Sequence, residues 1–247
     1  MSDTARFNEF SQPIGEGLPG WTSPKEPPKA SVQGRFCVVQ PLSPGDAPAL
    51  WDAYQRDEDG RNWTYLPYGP FADFASFERW VTESSASSDP QFYSVRLAPS
   101  SDRDAGTAAG VAAYLRLQPA AGVIEIGHIH FSPLLQHTPA ATEAMYLMMR
   151  RVFELGYRRY EWKCDALNAP SRRAAQRLGF SFEGVFRQAI VTKGRNRDTA
   201  WYACIDKEWP ALEEAYQRWL APSNFDEQGQ QLESLSSLTA PILVARG

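Results

Sequence analysis

VIEIGHIHFSPLLQHTPAATEAMYLMMRRVFELGYRRYEWKCDALNAPSRRAAQRLGF, residues Val123–Phe180, is the stretch that decides the fold. Val123–Phe131 is rich in Val, Ile and Phe and reads as a strand. Ser132–Thr138 is a loop, and Pro139 suits the first helical turn, where its missing N–H is no loss. Ala141, Ala144, Met145, Met148, Val152 and Leu155 then recur at helical spacing, with Glu143, Arg150 and Glu154 on the opposite side, which predicts an amphipathic helix. Gly156 suits the left-handed residue that ends it. Tyr160–Cys164 is the next strand. Asn168 caps a second helix, Pro170 fits its first turn, and Gly179 closes it.

A helix N-terminus presents unpaired N–H groups and a partial positive charge, so it attracts anions. Two such ends follow two neighbouring strands here, and the unit reads as a cradle for the anionic parts of one cofactor. Arg172 and Arg173 stand at the unfavourable end of the second helix dipole. Either a nearby anion offsets that cost or both side chains are simply solvated.

The run Ile126–Ala144, the strand at Tyr160–Cys164 and the pattern Asn168-x-x-Ser171 followed by Leu178-Gly179-Phe180 resemble the GNAT acetyltransferase superfamily. Within it they resemble the ribosomal-protein N-terminal acetyltransferases and their relatives, over about Arg35 to Trp209. The resemblance implies an α+β fold, with a mixed, mostly antiparallel sheet flanked by helices. It implies acetyl-CoA as cosubstrate and direct transfer of the acetyl group in a ternary complex to a primary amine, on a small molecule or a protein N-terminus; separately, the chain has no C-x-x-C pair, and no metal is expected. The family loop Arg/Gln-x-x-Gly-x-Gly/Ala corresponds to Gln136-His137-Thr138-Pro139-Ala140-Ala141, which has no glycine. The implied cofactor contacts are therefore Gln136, His137, Thr138, Ala140 and Ala141, the backbone of Ile129, His130 and Phe131, and Asn168, Ser171, Arg172 and Arg173. A GNAT-like module that binds CoA without turnover is the alternative.

Acetyl transfer also needs a base for the amine and a proton for the leaving thiolate. Glu125 lies mid-strand among apolar neighbours, where burial favours a base; it equally suits a partner for an arginine or a backbone group. His128 and His130 are rivals, and strand alternation sets both opposite Glu125 unless a bulge resets the phase. Many relatives carry a Tyr seven residues after the Asn, where this chain has Ala175. The N-terminal-acetyltransferase branch often has a Ser three residues after it, and Ser171 occupies that place, either as thiolate acid or as a helix-end hydrogen-bonding group.

The remaining chain sets boundaries. Residues 1–31 are rich in Pro and Gly, yet hold Phe10, Ile14 and Trp21, so they read as an arm docked through those side chains. Residues 32–220 form the domain. Residues 221–247 are polar and then apolar, fitting an ordered packing segment or a frayed tail. Trp63, Tyr65 and Tyr68, in an aromatic loop after an early helix, are candidate acceptor contacts or core. A polar turn is expected at Pro99–Ala105. Lys193, Arg195 and Arg197 form a basic hairpin tip, either solvated or attractive to an acidic partner. The 247 residues carry a net charge of −4, which argues against a nucleic-acid binder. Three widely spaced cysteines suit reduced thiols. No leader-like segment or run of about 20 apolar residues is present, so the expectation is a cytoplasmic protein without a membrane partner. A homodimer is open.

Overall fold

The apolar run at Val123–Phe131 becomes the middle of an eight-stranded sheet in the computed structural model, which describes residues 6–98 and 106–247. In chain order the elements are β1 (Arg6–Phe7), β2 (Pro13–Ile14), β3 (Val32–Gln33), β4 (Cys37–Pro41), α1 (Ala47–Tyr54), α2 (Phe74–Ala86), β5 (Gln91–Leu97), β6 (Ala108–Gln118) and β7 (Val123–Phe131). They continue as α3 (Pro139–Glu154), β8 (Arg159–Asp165), α4 (Ala169–Arg177), β9 (Ser181–Thr192), β10 (Arg195–Ile205), α5 (Trp209–Leu220) and α6 (Leu235–Thr239). The expected turn at Pro99–Ala105 lies outside the described residues.

The sheet order is β3-β4-β5-β6-β7-β8-β10-β9. Every neighbouring pair is antiparallel except β7–β8, which α3 joins as a crossover. This is the expected α+β fold. On one face α1 and α2 bury Leu50, Tyr54, Phe77 and Val81 against β5 and β6. On the other, α3 and α5 bury Tyr114, Ile124, Ile126, Met145 and Tyr216. Among the described residues no helix is long and apolar enough to cross a membrane.

Glu143, expected on the polar side of α3, is instead 4% exposed. Its carboxylate accepts the N–H groups of Arg35, Phe36 and Cys37 at 2.8, 2.6 and 3.0 Å. Three backbone donors offset the loss of water around the charge. They fasten the start of β4 to α3, and Gly34 leaves room for that carboxylate.

The arm docks differently from the expectation. Trp21 packs on Gly122 and beneath Arg158, whose guanidinium lies 5.4 Å from its ring. Gln91 and Tyr93 donate to the carbonyls of Pro27 and Pro28 at 3.1 and 3.0 Å. Phe10 and Ile14, however, are 73% and 51% exposed. They belong to a separate β1–β2 hairpin whose turn is closed by Asn8, which accepts from the N–H groups of Phe10 and Gln12. The C-terminal segment is an ordered one: Thr239 donates to the Arg177 carbonyl at 3.0 Å, and Phe182 N–H donates to Ala245 at 3.1 Å.

Candidate active site

Strands β7 and β8 stay together only from Val123–Arg159 to Ile126–Trp162. Beyond that register they part, and Gly127–Phe131 has no partner on the β8 side among the described residues. The cause is a bulge. His128 has φ +50°, and the β6–β7 register skips between Val111 and Ala113. The extra residue bends β7 away from its neighbour. It also resets the alternation: Glu125 faces Leu115 across the sheet and His130 faces Val111, so Glu125 and His130 share the face covered by α1. The opposite placement expected from simple alternation does not hold for His130.

His130 is 2% exposed, its ring 4.0 Å from Tyr54 and 3.9 Å from Trp63. Neither ring nitrogen has a hydrogen-bond partner among the described residues. Burial holds its pKa down to about 3, so it is neutral at neutral pH. His128 stacks on Tyr68 at 5.6 Å, with Nδ1 3.2 Å from the phenol oxygen. Burial, then the cations Arg116 and Arg197, lower its pKa to about 4. His137 lies in the loop before α3 with φ +61°.

Glu125 is buried, as its sequence context suggests, but both oxygens are engaged. Arg116 donates to each at 2.7 Å, and Lys163 Nζ lies 2.8 Å from Oε2. Lys163 also pairs with Glu161 at 2.7 Å and sits 3.8 Å above the Trp201 ring. Glu161 pairs in turn with Arg159 at 2.7 Å. Glu125 is thus one link in a chain of alternating charges that ties the paired halves of β7 and β8 together, the arginine-partner role open to it from sequence. Period-two spacing puts Glu161 and Lys163 on one face, but nothing in sequence shows that Glu125 meets them.

The two helix ends are unequal. At α3, Thr138 Oγ1 accepts from Ala141 N–H at 3.3 Å, while the N–H groups of His137 and Ala140 make no hydrogen bond among the described residues. Gln136 Nε2 donates to the Phe131 carbonyl at 2.8 Å and shapes the same loop. At α4 every donor is used or missing. Ala169 N–H goes to Leu167, Pro170 has none, Ser171 N–H goes to Asn168 Oδ1 at 3.1 Å, and Arg172 N–H goes to the Asn168 carbonyl at 3.0 Å. Asn168 caps this end, as its place before Pro170 suggests, and the capping leaves no N–H of the first turn for the anion expected there. Arg172 is tethered to Tyr202 Oη at 3.1 Å and to the Ala166 carbonyl at 3.2 Å, whereas Arg173 makes no such contact among the described residues.

Ser171 Oγ accepts from Trp162 Nε1 at 3.0 Å. That bond occupies a lone pair and leaves the hydroxyl hydrogen for another partner. The neighbouring Cys164 thiol is pushed up by burial, an effect that Ser171 opposes through a hydrogen bond. Trp162 is the residue sequence reasoning missed; its alternation on β8 with Tyr160 marks it as core, and only the fold brings its indole N–H to Ser171.

The aromatic loop closes one side. Trp63 is 6% exposed and belongs to the core around Tyr54 and Phe77, the packing role open to it from sequence. Its carbonyl accepts Lys193 Nζ from the β9–β10 tip at 2.8 Å, and Tyr65 Oη lies 3.3 Å from the Leu167 carbonyl. Tyr68 meets His128. The α1–α2 loop, the hairpin tip and the β8–α4 turn therefore meet over the ends of β7 and β8.

A family model described as an acetyltransferase (GNAT) domain matches residues 37–181. The structure is similar to that of a GCN5-related N-acetyltransferase from Brucella melitensis, with TM-score 0.85 and 47% identity over 90% of this chain and 100% of the other. A structure described as a probable acetyltransferase of the GNAT family, from Chromobacterium violaceum, gives TM-score 0.73 and 43% identity over 81% and 98% of the two chains. The uncharacterized N-acetyltransferase YnaD of Bacillus subtilis is 31% identical over 86 residues, 34% of this chain; the match spans 50% of that relative's length.

Proposed function

Because this chain belongs to the GNAT acetyltransferase family, we propose that it transfers the acetyl group of acetyl-CoA to a primary amine, on a small molecule or a protein N-terminus, by direct attack in a ternary complex. One observation carries the reading. The bulge at His128 parts β7 from β8 and leaves a strand edge that, among the described residues, is unpaired and leads to N–H groups without a partner at the start of α3. An unsatisfied edge and unsatisfied donors in one line fit an extended, amide-containing arm that ends in phosphates.

Acetyl-CoA supplies an activated acyl group. The chain's own groups do the rest. The backbone of Ile129–Phe131 offers donors to a developing oxyanion. His128 Nδ1 lies 3.2 Å from the Tyr68 phenol oxygen, and in the tautomer that donates there Nε2 is an acceptor that orients the amine. Its pKa of about 4 keeps the imidazole neutral at neutral pH, so it serves as a hydrogen-bond acceptor and does not hold the amine's proton. Glu125, held by Arg116 and Lys163, acts as a fixed negative charge beneath the site. Ser171, oriented by Trp162, turns its hydroxyl hydrogen toward the departing thiolate.

The test is release of CoA thiol from acetyl-CoA across a panel of primary amines, with purified protein. Amine-dependent release is expected. The engagement of both Glu125 oxygens favours a second reading, a module that binds CoA without turnover. Calorimetric binding of acetyl-CoA with no amine-dependent release would establish that reading instead.

A further inference from the structure

Arg197, Thr199 and Trp201 stand at alternate positions of β10, and each leaves a polar atom without a hydrogen-bond partner among the described residues: Nε, Oγ1 and Nε1 respectively. The irregularity between Arg197 and Thr199 does not break their alignment. Arg197 pairs with Ile190 and Thr199 with Phe186, so the extra residues lie on β9 and β10 stays regular. Thr199 lies opposite Asp165 and Trp201 opposite Lys163. The file thus runs on the sheet face of the Glu125–Lys163 pair, at the end where β7 and β8 part.

Such a file is unusual. Buried polar groups in native proteins are nearly always paired, and an unpaired one calls for an explanation. Thr199 is 6% exposed. Arg197 is half-buried and forms no ion pair among the described residues. The acidic groups within its electrostatic reach are Asp165 and Glu125, with Arg116 and His128 also facing it. Glu125 is already matched by Arg116 and Lys163. Asp165 Oδ1 accepts the Leu167 N–H at 2.9 Å. A guanidinium and an indole N–H only donate, and a hydroxyl can. A cation flanked by neutral donors fits a carboxylate or phosphate and repels an ammonium. The hairpin tip is accordingly not just a solvated basic turn: Lys193 donates inward to the Trp63 carbonyl, and Arg197 is half-buried.

Resting on the acetyltransferase reading, we propose that the amine acceptor carries an anionic group, paired by Arg197 and hydrogen-bonded by Thr199 and Trp201.

The experiment uses the full chain and matched probes: amino acids beside their carboxamides, and aminoalkyl phosphates beside the corresponding alkanolamines. Turnover with acetyl-CoA is measured, and so is calorimetric binding of each probe with and without CoA. The binding arm decides even if no probe is acetylated, and absence of acetyl-CoA binding would count against the underlying reading alone. The expected result is preference for the anionic member of at least one pair; which pair distinguishes carboxylate from phosphate. Arg197→Gln is expected to weaken that member at least about tenfold more than its neutral twin, mostly in KM, and Arg197→Lys to recover part of the loss. Two outcomes would overturn the proposal. One is no preference in any pair. The other is an Arg197→Gln effect equal on both twins, which would mean that ordered water or structure alone accounts for the file.

Discussion

Helices α3 and α4 follow neighbouring strands, and each carries a proline in its first turn and a polar cap before it. They end up with opposite properties. In α3 the proline is the first helical residue, where a missing N–H removes a donor that has no partner anyway, and Ala140 behind it keeps a free one. In α4 the proline is the second residue, and the donors on either side of it are taken by Leu167 and Asn168. One residue of displacement turns an anion-receptive end into a self-satisfied one. The self-satisfied end is the one that presents Ser171, held at 3.0 Å by Trp162. On this account α3 receives charge and α4 positions a proton.

That division of labour can be broken at several points. Ser171→Ala is the strongest: kcat is expected to fall about 100-fold, the low end for general acid help, with KM for acetyl-CoA little changed. Steady-state kinetics in both substrates checks it, and a rise in KM with kcat intact would move Ser171 to the binding side. Trp162→Phe should give a smaller kcat loss in the same direction, since it removes only the group that orients the hydroxyl.

The strand between the two ends makes its own prediction. His130 is neutral in the fold with a pKa of about 3, against an ordinary value near 6.5 in the unfolded chain. The unfolded state therefore binds the proton first. Stability is full above pH 6.5 and is lost as pH falls from there toward 3. The loss is on the order of a few kcal/mol by pH 4. His130→Phe keeps the stacking on Tyr54 and Trp63 and should flatten this acid limb in thermal melts; an unchanged limb would place the sensitivity elsewhere. Asn168→Ala should have the smallest effect, about 0.5–2 kcal/mol of stability with no loss of acetyl-CoA affinity beyond about twofold. A large affinity loss there would restore α4 as an anion site.

The crossover unit was legible in sequence because its signals are local. Alternating Val and Ile, helical spacing of Met145, Met148 and Val152, and Asn168 before Pro170 each act within a few residues. The site was less legible because its geometry depends on one strained residue and on partners far along the chain. Nothing about His128 marks it for φ +50°, yet that value moves His130 to the Glu125 face. Glu143 fits the polar side of an amphipathic helix; only the arrival of three N–H groups from residues 35–37 makes its burial tolerable. Phe10 and Ile14 look like anchors, but Asn8 closes their hairpin on itself.

The most direct test of the unequal helix ends is calorimetry of acetyl-CoA binding to the wild type beside Ala140→Pro and Pro170→Ala. Ala140→Pro gives α3 the second-position proline of α4 and removes its free donor, and Pro170→Ala does the reverse. The account predicts that the wild type binds, that Ala140→Pro binds about tenfold or more weakly with an unchanged melting temperature, and that Pro170→Ala binds like the wild type. Equal affinity for wild type and Ala140→Pro, or no binding by the wild type, would contradict it.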